Sequence, residues 1–178
     1  MTALTDAKAR LVSLARSQER AYSGGSDEER PLTGYAGAMT VYGTVVATIA
    51  GLARITRRDV PDGLDLRQAA LSAAAVYKLS RLLAKDPVTS PLRAPFTVYR
   101  GTEGPAELDE DVRGSGPRKA VGEVITCPFC IGVWVATGMT AGLIFLPRTT
   151  RLAIGTLAAV AGADMLQYAH TWLEKAAS

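Results

Sequence analysis

Two cysteines, Cys127 and Cys130, stand three positions apart directly before a long apolar stretch, in the sequence Cys-Pro-Phe-Cys. A helix that begins here points its positive dipole end at the thiols, which stabilises a thiolate and lowers its pKa. Such a pair can exchange disulfides, bind a metal or simply pack. A thioredoxin-type site is not indicated, because that motif follows a strand of a βαβ unit. Two thiols supply half of a four-ligand zinc site, and the sequence indicates no other cofactor.

A second group of polar residues interrupts the apolar stretches themselves. An isolated carboxylate such as Asp164 is costly in hydrocarbon and normally faces the bundle interior with a partner, for which Lys78 is predicted. The short turn at 147–151 makes the last two apolar helices antiparallel neighbours. By the helical rise, Asp164, the single histidine His170 and the two cysteines then share one layer. Asp164 with Lys78 forms either a structural ion pair or part of a proton or ion pathway, and His170 is either an interfacial side chain or a ligand.

The elements that position these groups are predicted to be membrane-spanning helices. About 20 apolar residues cross roughly 30 Å of hydrocarbon. Three stretches meet this criterion, the last of them interrupted by Asp164, Gln167 and His170: 34–53, 124–147 and 152–173. A further stretch, 64–83, contains Lys78 and Arg81, so it crosses only if these side chains reach the interface; a helix in the membrane plane is the alternative.

The sequence therefore predicts an all-α fold, a polytopic membrane bundle of three to four transmembrane helices with an N-terminal amphipathic helix. That helix covers Thr5 to Tyr22 and is followed by a Gly/Ser-rich linker at 23–31. We divide the chain into this N-terminal segment, 1–33, and a transmembrane domain, 34–178. The proline-rich and acidic connection at 86–119 is predicted to be largely flexible.

The distribution of positive charge predicts the orientation. Of the 20 Lys and Arg residues, five precede the first span, four follow it, eight lie from Lys78 to Lys119, two separate the last two spans and one follows them. Four spans place 14 inside and 6 outside, and three spans place 13 inside and 7 outside. Both predict a multi-pass membrane protein with the connection, the cysteines and the C-terminus in the cytoplasm. The charges are scattered, which argues against nucleic-acid binding.

Two segments together resemble a known family: YKLSRLLAKDPVTSPLRAPFT at 77–97 and GSGPRKAVGEVITCPFCIGVWVA at 114–136. The sequence GADMLQ follows them at 162–167. They resemble bacterial membrane proteins of the domain-of-unknown-function family 1360, in its actinobacterial branch, over about residues 65 to 174. The resemblance implies a membrane protein with no assigned activity. The positions that match its pattern are Arg81, Leu82, Asp86, Arg93, Glu123, Cys127, Pro128, Cys130, Gly132 and Trp134.

Several roles are predicted for these positions. Arg81, Asp86, Arg93 and Glu123 flank the connection and are candidates for a cytoplasmic salt-bridge cluster or a lipid-headgroup site. Pro128, Gly132 and Trp134 are assigned to packing. For the whole chain we predict a non-enzymatic interaction or assembly component whose partners are the lipid bilayer and a second copy or another membrane protein. The alternatives are a thiol-redox or metal-binding protein using Cys127 and Cys130, and a small transporter or channel subunit.

Overall fold

The computed structural model describes residues 2–23, 32–104 and 106–177, so most of the predicted linker lies outside the described residues. Helices make up most of the fold. The elements in chain order are α1 (Thr2–Ser23), α2 (Leu32–Ile55), α3 (Leu66–Lys85), a 3-10 turn (Pro87–Thr89), α4 (Ser90–Arg93), strands β1 (Thr97–Gly104) and β2 (Glu107–Val112), α5 (Gly116–Thr126), α6 (Pro128–Phe145) and α7 (Pro147–Ala177).

Three of these helices are long and apolar enough to cross a membrane: α2, α6 and α7. They correspond to the stretches predicted at 34–53, 124–147 and 152–173, although the middle prediction began too early. Pro128 is the reason, because a residue before proline is driven to extended backbone. Cys127 accordingly adopts φ −97° and ψ 111°, and this break separates α5 from α6.

The long helices run alternately in opposite directions. At one end of the bundle Tyr35 of α2 donates a hydrogen bond to Glu123 of α5, and further along Tyr42 lies 2.9 Å from the hydroxyl of Thr137 in α6. The helices α2 and α6 are therefore parallel. Because α7 returns after a tight turn at Leu146 and α3 returns after the loop at 56–65, both run the opposite way.

This arrangement gives the molecule two distinct ends. The first, which we call the hairpin end, carries the start of α2 and α6, the final residues of α3 and α7, and everything between α3 and α6. The second, the loop end, carries residues 56–65 and the turn between α6 and α7. The helices pack closely through small side chains, among them Gly34, where an added Cβ would lie 2.7 Å from that of Ala120.

The segment after α3 is folded, which corrects two predictions. The fold is mostly helical, as predicted, but it is not all-α, because β1 and β2 pair as an antiparallel hairpin with Thr97 opposite Val112 and Gly104 opposite Glu107. The prediction that 86–119 is largely flexible is also wrong. Two short helical turns and two strands occupy most of this segment, and ion pairs join it to the neighbouring helices.

Arg93 is the residue that fastens this segment to the bundle. Its side chain is 1% exposed and forms an ion pair with Glu110 of β2. Its remaining guanidinium donors bind the carbonyl oxygens of Leu83 at 2.9 Å and Asp86 at 3.1 Å and the hydroxyl of Thr89 at 2.8 Å. The last carbonyls of a helix have no partner within it, so Arg93 satisfies the end of α3 and joins it to the hairpin.

Candidate functional site

The two cysteines lie at the hairpin end, at the start of α6. Cys127 is the N-cap residue, and its sulfur accepts a hydrogen bond from the backbone N–H of Cys130 at 3.3 Å. Both thiols are free, and Cys130 is exposed. Burial raises the pKa of Cys127, but hydrogen bonds from the Cys130 thiol and from the N–H groups of Cys130 and Phe129 outweigh it and lower that pKa overall. Of the two cysteines, Cys127 is therefore the better nucleophile, because its place at the helix N-cap stabilises the thiolate.

A cavity of about 780 Å³ opens beside the cysteines. Charged and polar side chains from α2, both strands and α5 line it together with the two thiols: Tyr35, Arg100, Glu110, Asp111, Arg113, Lys119 and Glu123. Among the described residues no three His, Cys, Asp or Glu side chains are arranged to hold a metal ion. The geometry thus presents a dithiol facing a polar cavity, and the metal hypothesis gains no further ligand from the described part of the chain.

Lys78 and Asp164 are in contact, as the sequence predicts. The ammonium nitrogen of Lys78 lies 2.6 Å from a carboxylate oxygen of Asp164, and the two side chains are 20% and 32% exposed. The pair is therefore partly rather than fully buried. It lines a second cavity, of about 370 Å³, together with Arg81 and Asp86.

The cysteines, Asp164 and His170, which were predicted to share one layer, do not gather in one site. The side chain of His170 is 74% exposed and its imidazole lies 3.4 Å from Glu174 on the same helix. The cavity beside the cysteines and the cavity beside Asp164 share no lining residue. The depth of a residue along its helix predicts its layer, but the face of the bundle on which it lies depends on packing.

The charged residues that flank the connection also have separate partners. Arg81 donates to Glu107 from Nε at 2.9 Å. Asp86 accepts a hydrogen bond from the N–H of Val88 at 2.8 Å and starts the 3-10 turn. Arg93 binds Glu110, and Glu123 binds Tyr35. The four residues thus hold four different contacts instead of one salt-bridge cluster.

The three positions assigned to packing lie at helix contacts. Pro128 is the first residue of α6, where its missing N–H costs nothing. Trp134 makes an edge-to-face contact with Tyr42 of α2, with ring centroids 5.2 Å apart. A Cβ added to Gly132 would lie 3.9 Å from side-chain atoms of Val76 and Ser80 in α3.

Tyr35, Glu107 and Glu110 are site residues that the sequence analysis missed. The two glutamates are part of a run of acidic residues in β2, and their partners are Arg81 of α3 and Arg93 of α4. That complementarity was visible once the segment was recognised as a hairpin. Tyr35 has no comparable signal, because its partner Glu123 lies 88 residues away.

These features define a class of protein: a mostly helical chain with three helices long and apolar enough to cross a membrane, and a free thiol pair where one of them begins. The chain belongs to the family described as "Protein of unknown function (DUF1360)", which matches residues 71–170. The family resemblance stated from the motifs is thereby confirmed. The matched region contains both cysteines and Asp164, whereas α1 and α2 lie outside it.

Two relatives from Bacillus subtilis (strain 168) are similar to this chain. The "Sporulation protein YjcA" is 29% identical over 109 residues, which cover 59% of this chain and 92% of that protein. The "UPF0713 protein YngL" is 34% identical over 93 residues, covering 52% of this chain and 68% of that protein. No solved structure matches the chain. Because both relatives come from Bacillus, the placement in an actinobacterial branch stays a prediction.

Proposed function

We propose that this chain is a multi-pass protein of the bacterial cytoplasmic membrane, in which α2, α3, α6 and α7 cross the bilayer. The observation that carries the proposal is the placement of the apolar side chains. The buried hydrophobic residues are mostly alanines, including Ala75, Ala84, Ala120 and Ala161, whereas large apolar residues such as Met39 and Val133 are exposed. Small residues at helix contacts and large ones outside are typical of bundles in lipid.

The charges of α3 are compatible with a fourth crossing. The helix has 20 residues, which span about 30 Å. Its basic residues at and after Lys78 lie in the half nearest the hairpin end, and each has an acidic partner: Lys78 with Asp164, Arg81 with Glu107, and Lys85 with Glu103. A paired cation near a helix end is far less costly in a membrane than an isolated one at its centre.

The orientation follows from the same arrangement. With α3 crossing, α1, the 86–119 segment and the C-terminus share the hairpin end, to which the four-span count assigns 14 of the 20 positive residues. The hairpin end therefore faces the cytoplasm under the rule that positive residues stay inside. Arg54, Arg57 and Arg58 then lie outside, at the loop end, against the overall trend.

Reporter fusions test this topology. A green fluorescent protein fused after residue 177 should fluoresce and alkaline phosphatase at that site should be inactive, because the C-terminus is cytoplasmic. Alkaline phosphatase inserted in the 59–64 loop should be active. The control is carbonate extraction, in which the tagged chain must stay with the membrane pellet. An inactive loop fusion would contradict the crossing of α3, and release by carbonate would contradict membrane insertion altogether.

We further propose that the chain acts as a non-enzymatic interaction or assembly component whose hairpin end is the docking surface. Three ion pairs hold the hairpin on the bundle, from Glu103, Glu107 and Glu110 of the hairpin to Lys85, Arg81 and Arg93. On β1, Tyr99 is 60% exposed, and its neighbour Val98, on the opposite face of the strand, is 41% exposed. A rigid element that presents apolar side chains to the aqueous side suits recognition of another protein.

Photo-crosslinking in cells tests the docking surface. A photoreactive amino acid at Tyr99 should give one discrete adduct, since a specific partner covers the same side chain in every complex. Leu152 provides the matched control, because it is 73% exposed but lies near the loop end. A discrete adduct at Leu152 and none at Tyr99 would contradict the proposal.

The Cys127–Cys130 pair supports a second candidate function, exchange with a disulfide. The specific observation is the helix N-cap position of Cys127, whose sulfur accepts the Cys130 N–H and whose pKa is lowered. A thiolate is the form that attacks a disulfide, and attack is fastest when the thiol pKa lies near the ambient pH. Cys130 is placed to resolve the mixed disulfide that such an attack produces.

A further inference from the structure

The cavity beside the cysteines contains three carboxylates with different partners. Glu110 is held by Arg93, and Asp111 is held by Arg100, whose Nε lies 2.6 Å from its oxygen. Glu123 instead accepts a hydrogen bond from the neutral hydroxyl of Tyr35. Among the described residues, Glu123 is the one of the three that forms no ion pair with an arginine. It can therefore take up a thiol proton without breaking such a pair.

The position of Glu123 along the chain also favours this role. It lies four residues before Cys127, on the last turn of α5, and lines the same cavity as both thiols. The helix break at Cys127 turns the chain between α5 and α6, so that the carboxylate and the thiols face a common space. A general base must reach the proton that it takes up, directly or through one water, and a shared cavity provides the space for that approach.

We propose that Glu123 accepts the proton of Cys130 during disulfide exchange, and that Tyr35 is a positioning residue that holds the carboxylate. The inference rests on the thiol function proposed above. Tyr35 lies on α2, outside the region matched by the family, so the residue that orients Glu123 comes from a part of the chain that this match does not cover.

The reaction balances as follows. The Cys127 thiolate attacks one sulfur of a disulfide RS–SR, the S–S bond breaks, and RS⁻ leaves and takes a proton from solvent. The Cys130 thiol then gives its proton to Glu123 and attacks the Cys127 sulfur. A second RS⁻ leaves and takes the proton from Glu123. The two cysteines are oxidised to a disulfide and RS–SR is reduced to two RSH.

Oxidised glutathione provides the probe, used with the full-length protein in detergent and intact-mass detection. In Glu123→Gln the glutathione mixed disulfide on Cys127 should persist, with its resolution slowed at least about tenfold, given that general bases contribute about 10²–10⁴-fold. In a Cys130→Ser background, which stops after the first step, attack by Cys127 should proceed at the same rate with Glu123 or Gln at position 123. A structural defect would slow both steps.

Matched variants keep the test decisive. Asp111→Asn, which alters another carboxylate of the same cavity, should leave both steps unchanged. Tyr35→Phe keeps the ring and should slow resolution alone, so it decides the question if Glu123→Gln does not fold. Unchanged resolution in Glu123→Gln, or in Tyr35→Phe when it must decide, overturns the role of Glu123 and leaves the thiol function intact. Failure of Cys130→Ser to form any mixed disulfide overturns the thiol function itself.

Discussion

Arg93→Met is expected to lower the free energy of unfolding by about 3–5 kcal/mol, because it strands the buried carboxylate of Glu110. The loss extends beyond the ion pair. The carbonyl oxygen of Leu83 also loses its closest donor, and a buried polar group left without a partner costs about 1–3 kcal/mol. The carbonyl oxygen of Asp86 keeps the backbone N–H of Thr89 at 3.3 Å. Thermal unfolding of the detergent-solubilised protein measures the effect.

Two further variants show why the loss arises. Arg93→Lys should recover little, because an ammonium cannot reproduce the planar set of donors that reaches four acceptors. Arg93→Met combined with Glu110→Met should recover only the part due to the ion pair. Arg100→Met is the matched control, since Arg100 and its partner Asp111 are 59% and 62% exposed and surface pairs contribute little. An Arg93→Met protein as stable as the parent would show that Arg93 does not fasten the hairpin.

The second large effect is expected at the ion pair between α3 and α7. Asp164→Leu leaves Lys78 without its partner and should destabilise the solubilised protein. The 20% and 32% exposure of the two side chains places the loss below the about 3–5 kcal/mol typical of a fully buried pair. The double variant Asp164→Leu with Lys78→Leu should recover most of the lost stability. Among the described residues, these two side chains bond to each other and neither forms a hydrogen bond with a backbone group.

The outcome separates a structural pair from a functional one. Recovery of stability together with normal cellular behaviour indicates that the pair only joins α3 to α7. A double variant that is stable but fails to replace the native protein in cells would favour the proton or ion pathway. Wild-type stability in Asp164→Leu alone would show that the pair contributes nothing. His170→Ala serves as the control, because His170 is exposed and pairs with Glu174 on its own helix.

The long helices and the contact between Lys78 and Asp164 could be predicted from the sequence. Apolar stretches of about 20 residues are recognisable from composition and length, and a lone aspartate in such a stretch has few possible partners. The turn at Leu146 fixed the direction of α7, so depth alone was enough to bring Asp164 to the level of Lys78. Depth along the helix does not show which face of the helix carries a residue, and His170 lies on an exposed face.

The hairpin and the thiol cavity could not be predicted from the sequence, and the cause differs between them. In 86–119 the prolines and charges are typical of a flexible segment, and only the contacts of Arg93 with α3 and β2 turn it into a folded unit. The thiol cavity needs side chains from α2, the strands and α5, elements far apart in the chain. The local sequence pattern carries no information about either of these long-range contacts. The break before α6, by contrast, could have been predicted from Pro128.

The parallel packing of α2 on α6 has a consequence for biosynthesis. The contacts of α2 are with residues 88 and 95 positions later in the chain, on α5 and α6, rather than with α3, which follows it directly. At about 5–20 residues per second, a ribosome needs roughly 5–20 s to produce the partner of Tyr42 after Tyr42 itself. In a chain inserted as proposed, α2 therefore waits in the bilayer or beside the insertion machinery until α6 arrives. Its partner Trp134 reaches it only when most of the protein has been translated.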